Sequence, residues 1–192
     1  MRGMIKSMQI EIFDHMEQCT KTEVQRMLPL VNAQRREQAL KYKHTFGQFC
    51  CLKSWLLLSS ICLRYNSDIS TISFLYNEYG KPYLEEGPFF SISHCKEAIA
   101  VAVSDRPIGV DVESIRRVDE DLIARTMNEA ERERVRNERD FTQLWTQKEA
   151  VVKCLGTGIE SFEQLQGILE CAPCRVESVE KEKYIYSIAY KN

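Results

Sequence analysis

Long hydrophobic runs are missing from this 192-residue sequence. The longest apolar stretch, Trp55 to Leu63, is nine residues and is interrupted by Ser59 and Ser60. A membrane-spanning helix needs roughly 20 apolar residues, so no transmembrane segment is predicted. Residues Met1 to Ile12 also lack the apolar core of a secretory signal. An excess of one charge is missing too: 26 Lys+Arg stand against 28 Asp+Glu, for a formal net charge of -2. Bulk attraction to nucleic acid or an anionic membrane is therefore excluded, and any polyanion must be held by a local basic patch. The eight glycines form neither a Walker loop nor a dinucleotide-binding fingerprint, and no nucleophile elbow marks a hydrolase.

What is present is a sizeable apolar fraction, 44%, enough for the core of one ordinary domain or two small ones. Eight cysteines is a high count. Without a secretory signal they are expected to be reduced thiols in a cytoplasmic protein. Cys50, Cys51 and Cys62 fall in an apolar segment and read as small core residues. Cys171-Ala172-Pro173-Cys174 has the spacing of half a zinc site or of a redox pair. No second CxxC or HxxxH partner accompanies it, which favours ordinary cysteines.

Periodicity predicts a mixed fold. Met8 to Phe13 alternates as a half-buried strand, and Gln48 to Tyr65 repeats apolar residues at helical spacing, ending near Asn66-Ser67-Asp68. Short β-rich runs follow at Ile72 to Tyr76, Phe89 to Ser93, Ala98 to Val103 and Ile108 to Val112. Asn128 reads as a helix N-cap, with a solvated charged surface running through Arg139. Asp140 is the expected cap of a second helix, Phe141 to Leu155, ended by Gly156. Arg175 to Tyr190 reads as a hairpin turning near Glu180 to Glu182. This order predicts an α+β arrangement rather than a regular βαβ series.

Four clusters are candidates for chemistry. In Ile108-Gly109-Val110-Asp111-Val112-Glu113, period-two geometry aims Asp111 and Glu113 to one face and the valines to the core. Two carboxylates so placed suit a hard cation such as Mg²⁺, although an isolated acid-x-acid pair is common. In Trp145 to Lys153, Glu149 and Lys153 are helix neighbours. They read as a surface ion pair or as a third carboxylate beside a phosphate-binding lysine. Ser93 and His94 end an apolar strand, as an anion site or as a plain surface turn. Lys81 sits on a Gly80-Lys81-Pro82 turn, and Arg35-Arg36 with Lys41 to His44 is either a solvated helix face or a phosphate-binding patch.

Taken in order, Gly80-Lys81-Pro82, Phe90-Ser91-Ile92-Ser93-His94, Ile108 to Glu113 and Trp145 to Lys153 closely resemble the motif series of the Sfp-type 4'-phosphopantetheinyl transferases. The resemblance is strongest from Tyr79 to Gly156. It implies transfer of the phosphopantetheine arm of coenzyme A to a serine of an acyl or peptidyl carrier protein, releasing adenosine 3',5'-bisphosphate, as a holo-[acyl-carrier-protein] synthase does. Asp111, Glu113 and Glu149 are then expected to hold Mg²⁺, with Glu149 also the general base and Lys153 on the pyrophosphate. Lys81, Ser93 and His94 match family positions that hold coenzyme A, a protonated or hydrogen-bonded His94 suits its 3'-phosphate, and Arg35 is a looser candidate for that phosphate. The chain departs from the family at Gln48 to Leu52, where a basic residue is often found, and at Cys95, where Ser or Thr commonly follows the Ser-His pair.

The implied fold is an α+β pseudo-dimer of two similar halves, residues 1–104 and 105–192, with the site in the cleft between them. A monomer that binds neither nucleic acid nor membrane is expected. Two readings compete: another Mg²⁺-dependent phosphoryl or nucleotidyl transferase, and a noncatalytic module that binds coenzyme A or a carrier.

Overall fold

The computed structural model describes residues 8–64, 68–70 and 72–191. Strand β1 (Gln9–Phe13) leads through helices α1 (Lys21–Met27) and α2 (Ala33–Leu40) to the long helix α3 (Thr45–Arg64). A two-residue ladder, β2 (Leu75–Tyr76) with β3 (Pro82–Tyr83), precedes β4 (Phe89–His94) and β5 (Ile99–Ser104). Next come β6 (Ile108–Ser114), helices α4 (Glu120–Thr126) and α5 (Glu129–Arg134), and the second long helix, α6 (Glu138–Leu155). A short 3-10 turn at Phe162–Leu165, α7 (Ile168–Cys171), β7 (Arg175–Glu180) and β8 (Tyr184–Tyr190) complete the order. Helix and sheet are mixed in an α+β fold, as the sequence pattern predicts.

There are two three-stranded antiparallel sheets, in the orders β1-β5-β4 and β6-β8-β7. In each, the first strand pairs with the last, and a long helix intervenes in the chain. The sheets are stacked through alternation. Ile99, Val101 and Val103 of β5 join Leu52, Leu58 and Ile61 of α3 in one core. Ala100 and Ala102, on the other face of β5, meet Ile108, Val110 and Val112 of β6 and Ile188 of β8 in a second. Ala150, Val151 and Cys154 of α6 close over Ala189. Period-two geometry thus gives each sheet an outer face for its helix and an inner face for the other sheet.

Several boundaries differ from the sequence reading. Helix α3 begins at Thr45 rather than Gln48; of the end expected near Asn66-Ser67-Asp68, residues 65–67 lie outside the described ones. Helix α3 has a mean hydropathy of 1.4 and is, by length and composition, apolar enough to cross a membrane, which the count of uninterrupted apolar residues did not anticipate. Here its Phe49, Leu52, Trp55 and Leu58 are packed into the core of the first sheet. The run from Ile72 to Tyr76 yields strand only at Leu75 and Tyr76.

The cap of α6 is Asn137, not Asp140: the Asn137 side chain accepts from the backbone N–H of Arg139 and of Asp140. Asp140 instead sits in the first turn, where its charge suits the helix dipole. The Asn128 cap is present as a capping box with Glu131. Glu131 is not solvated as the charge pattern suggested, but buried against Lys148.

Candidate active site

Strand β6 can lie close to α6 because residue 109 has no side chain. A Cβ there would stand 1.9 Å from the Ala150 carbonyl oxygen and 2.4 Å from the Cys154 nitrogen. Two residues on, the same face of β6 presents Asp111 to α6. The Lys153 ammonium donates to Asp111 Oδ1 at 2.6 Å and to Ser93 Oγ at 3.0 Å, while Ser93 Oγ donates to Asp111 Oδ1 at 2.7 Å. Residues from β4, β6 and α6 thereby close a triangle. Nearby, Ser91 Oγ accepts from the Val110 N–H, tying β4 to β6.

Asp111 is 2% exposed, and its second oxygen, Oδ2, is buried with no hydrogen-bond partner. Leaving a buried carboxylate oxygen unpaired is costly, so the atom calls for a cation or donor. Glu113 and Glu149 line the same cavity. Burial, and then the Asp111 charge, push the Glu113 carboxyl up to about 7. Burial also raises Glu149; the Lys153 ammonium works against that shift and Asp111 with it. For Lys153, burial opposes the charge, but Asp111, Glu149 and Glu113 together outweigh it and hold the ammonium protonated.

Three acids around one lysine leave negative charge in excess, and all the donors are oxygens, as a hard cation requires. In this geometry the ammonium takes the central place. Among the described residues no three acids, histidines or cysteines already stand at metal-binding separation. The residues present fit Mg²⁺ in type and charge, with Asp111 Oδ2 the unsatisfied ligand atom.

Two cavities meet at this point, sharing Pro82, Ile92, Glu149 and Lys153. One, of about 450 Å³, runs past Ser93 and His94 to Arg35 and Cys51. The other, of about 330 Å³, is walled by Tyr79, Lys81, Phe90, Gly158 and Ile159. The Arg35 guanidinium lies over the Phe74 ring at 4.4 Å and donates to the Cys51 sulfur at 3.4 Å, while its Nε is buried without a partner. A cation delivered from α2 thus stands over the α3 segment that carries no basic residue of its own.

His94 packs edge-on against Phe46 at 5.8 Å. Partial desolvation and then the Lys153 charge lower the pKa of its ring, although much of the side chain stays open to solvent. The sequence reading asks for a protonated or a hydrogen-bonded imidazole here, and an arriving phosphate would favour the charged form. The Lys81 ammonium is committed to the Lys153 and Ile108 carbonyl oxygens, so it caps the end of α6 as well as lining the cavity. Burial lowers its pKa. The turn around it is fixed by Asn77, whose Oδ1 accepts from the Lys81 N–H at 2.8 Å and whose Nδ2 donates to the Gly156 carbonyl at 2.8 Å. Gly80 adopts φ +78° there.

Residues 107–188 match the profile of the 4'-phosphopantetheinyl transferase superfamily. A 4'-phosphopantetheinyl transferase of Bacillus subtilis is 31% identical over 146 residues, covering 71% of this chain and 65% of its own length. The 4'-phosphopantetheinyl transferase gsp of Aneurinibacillus migulanus is 29% identical over 136 residues, 67% of this chain and 57% of its own. The chain belongs to the 4'-phosphopantetheinyl transferase superfamily. A third relative, the 4'-phosphopantetheinyl transferase AcpT of Salmonella typhi, is 34% identical over 114 residues, covering 54% and 58% of the two chains. The chain spans less than two thirds of the length of each of these relatives.

The superfamily match spans Asp111, Glu113, Glu149 and Lys153; Arg35, Lys81, Ser93 and His94 lie before it and reach the same cavities from the first sheet and its helices. Two features of this transferase-family site were not foreseen. Lys148, fully buried beside Glu149 in sequence, donates to Glu131 Oε2 at 2.6 Å and to the Thr126 and Leu165 carbonyls at 3.0 and 2.6 Å. It fastens α5 and the turn at Phe162–Leu165 to the far side of α6. The other is Gly109, whose lack of a side chain lets β6 approach the α6 backbone. A lysine one residue before a cleft-facing acid was the available signal for the first, since neighbours on a helix point about 100° apart.

Proposed function

We propose that the protein transfers the 4'-phosphopantetheine group of coenzyme A to a serine of an acyl or peptidyl carrier protein, with holo-[acyl-carrier-protein] synthase activity. The observation that carries this reading is the meeting of Asp111, Glu113, Glu149 and Lys153 where the two cavities join, with His94 and Arg35 lining one of them. A long, polyanionic co-substrate needs this layout: acids and a lysine at the reacting phosphates, further cations along its length. We further propose that residues 1–104 and 105–192 form two similar halves of a pseudo-dimer, the site lying in the cleft between them. The shared strand order of the two sheets supports this.

In this reading Asp111, Glu113 and Glu149 would hold Mg²⁺, which when bound supplies the charge that neutralises the pyrophosphate. Lys153 then turns from Asp111 towards a phosphate oxygen. Glu149, raised by burial, is the base that takes the serine proton as the serine oxygen bonds to phosphorus. The phosphorus–oxygen bond to adenosine 3',5'-bisphosphate breaks, and that nucleotide departs. Arg35 and a protonated His94 orient the distant phosphate. The eight free thiols suit a reducing, cytoplasmic setting, and the reading needs only one copy of the chain.

The test is intact-mass measurement of a panel of apo carrier proteins incubated with coenzyme A, Mg²⁺ and the protein. A phosphopantetheine mass gain that disappears on chelation is expected, and absence of gain on every carrier by folded protein overturns the reading. Transfer that persists undiminished in Glu149→Ala removes that residue as the base.

A further inference from the structure

The thiol at the last turn of α6 has a use that the transfer reaction does not supply. Cys154 is 3% exposed and donates to the Pro107 carbonyl at 3.3 Å. The Cys174 thiol, half-buried just ahead of β7, is turned to it, sulfur to sulfur, at 3.6 Å. Burial, and then the neighbouring Cys174, push the Cys154 thiol up to about 12, and neither sulfur is in a disulfide. Cys171, the other half of the CxxC spacing, is exposed at the end of α7.

We propose that Cys154 and Cys174 form a reversible disulfide when the protein meets a low-molecular-weight disulfide such as oxidised glutathione. The sulfurs need to close by only about 1.5 Å to reach bonding distance. Cys174, as thiolate, attacks one sulfur of the oxidant; a new S–S bond forms, and the first glutathione thiolate leaves and takes up a proton. Cys154, after losing its own proton, attacks the Cys174 sulfur and expels the second glutathione. Two protein thiols are oxidised and one oxidant disulfide is reduced to two thiols. The CxxC is then a bystander pair: its first cysteine faces solvent while its second serves a partner 20 residues upstream.

The bond would fix the end of α6 to the start of β7. Lys153 immediately precedes Cys154, and its carbonyl accepts from Lys81, so the clamp sits next to a lysine that lines the cavity. The proposal is independent of the transferase reading and is tested without an activity assay. The folded full chain is treated with oxidised glutathione, its remaining thiols are alkylated, and it is cut after glutamate. That cleavage separates Cys154, on residues 150–160, from Cys171 and Cys174, on residues 171–177.

The expected product is the first peptide joined to the second, released by dithiothreitol and still formed in Cys171→Ser. In Cys154→Ala, Cys174 should stop at a mixed disulfide carrying one glutathione. A Cys171–Cys174 bond within one peptide, glutathione on Cys171 alone, or no linkage each overturns the proposal.

Discussion

The two long helices occupy equivalent places in the two sheets' topologies and have different duties. Helix α3 buries Phe49, Leu52, Trp55, Leu58 and Ile61 and draws its stability from apolar area. Helix α6 buries Val151 and Val152, locks Lys148 to Glu131 on another side, and gives Glu149 and Lys153 to the cavity that Asp111 lines. The first can tolerate conservative changes of shape. The second must keep its rotation and its distance from β6, because a carboxylate that misses by an ångström misses its chemistry. One frame thus holds a helix specified by volume beside one specified by contacts.

The largest effect expected is at Gly109, packed against α6, and its counterpart for comparison is Gly47 within α3. Gly109→Ala places a methyl group against the backbone of α6 itself, at 1.9 Å from the Ala150 carbonyl oxygen. Backbone cannot yield as a side-chain tip can, so a loss of roughly 4 kcal/mol or more is expected, at the exceptional end of single substitutions. At Gly47 in α3 the nearest atoms belong to the exposed Tyr42 side chain, at 2.6 Å. Gly47→Ala should change stability by no more than about 1 kcal/mol in either direction, since the better helix former offsets the shift of the ring. Denaturant unfolding of the pair measures both; equal losses would erase the distinction drawn here.

Next come two changes expected to separate stability from activity. Leu58→Ala removes a fully buried side chain and should cost about 2–5 kcal/mol of stability while the folded fraction keeps its transfer rate. Glu149→Gln should do the reverse, lowering transfer by roughly 10²–10⁴-fold with little loss of stability, since a half-buried carboxylate is replaced by a neutral isostere. Between them stands Lys148→Met. It strands the Glu131 carboxylate and two carbonyls, and about 3–5 kcal/mol is expected from thermal or denaturant unfolding.

These contrasts also separate what the sequence made legible from what it did not. Strands β4, β5, β6 and the terminal hairpin announce themselves through β-branched runs and turn residues, and Asp111 and Glu113 share a face because period two requires it. Motif order and spacing single out Asp111, Glu113, Glu149 and Lys153, and all four line one cavity. What escaped depends on tertiary partners: Glu131 looks like surface charge until Lys148 arrives from 17 residues further on, and Arg35 is one of two adjacent arginines until Phe74 and Cys51 surround it. The Lys153 charge that helps to lower the His94 pKa is likewise invisible in a Ser-His dipeptide.

A smaller effect is expected from pH, and only on the α6 side of the comparison. Glu113 has a folded pKa of about 7 against an ordinary value of 4.5, so between these values the native state binds more protons than the unfolded chain. Stability must then fall as pH rises through that window, reaching its full deficit above pH 7 and vanishing below 4.5. In the free protein, without divalent cation, Glu113→Gln should flatten the decline and raise Tm at pH 8 relative to the parent. An unchanged slope between pH 5 and 8 would place the deficit elsewhere.

The smallest difference concerns how α6 is started. Asn137 accepts from two backbone N–H groups that have no partner within the helix, and Asn137→Ala leaves both to water. Loss of such a cap costs about 1 kcal/mol. The first turn of α6 lies far along the helix from Glu149, at 1.5 Å of rise per residue, so fraying there should leave transfer unaffected. Asp140→Ala makes the control: it removes a first-turn charge and the acceptor for the Arg136 N–H, but not the cap. It should therefore cost less than Asn137→Ala when the two are unfolded side by side. If Asp140→Ala proved the more damaging, the helix would be initiated where its sequence first suggested rather than at Asn137.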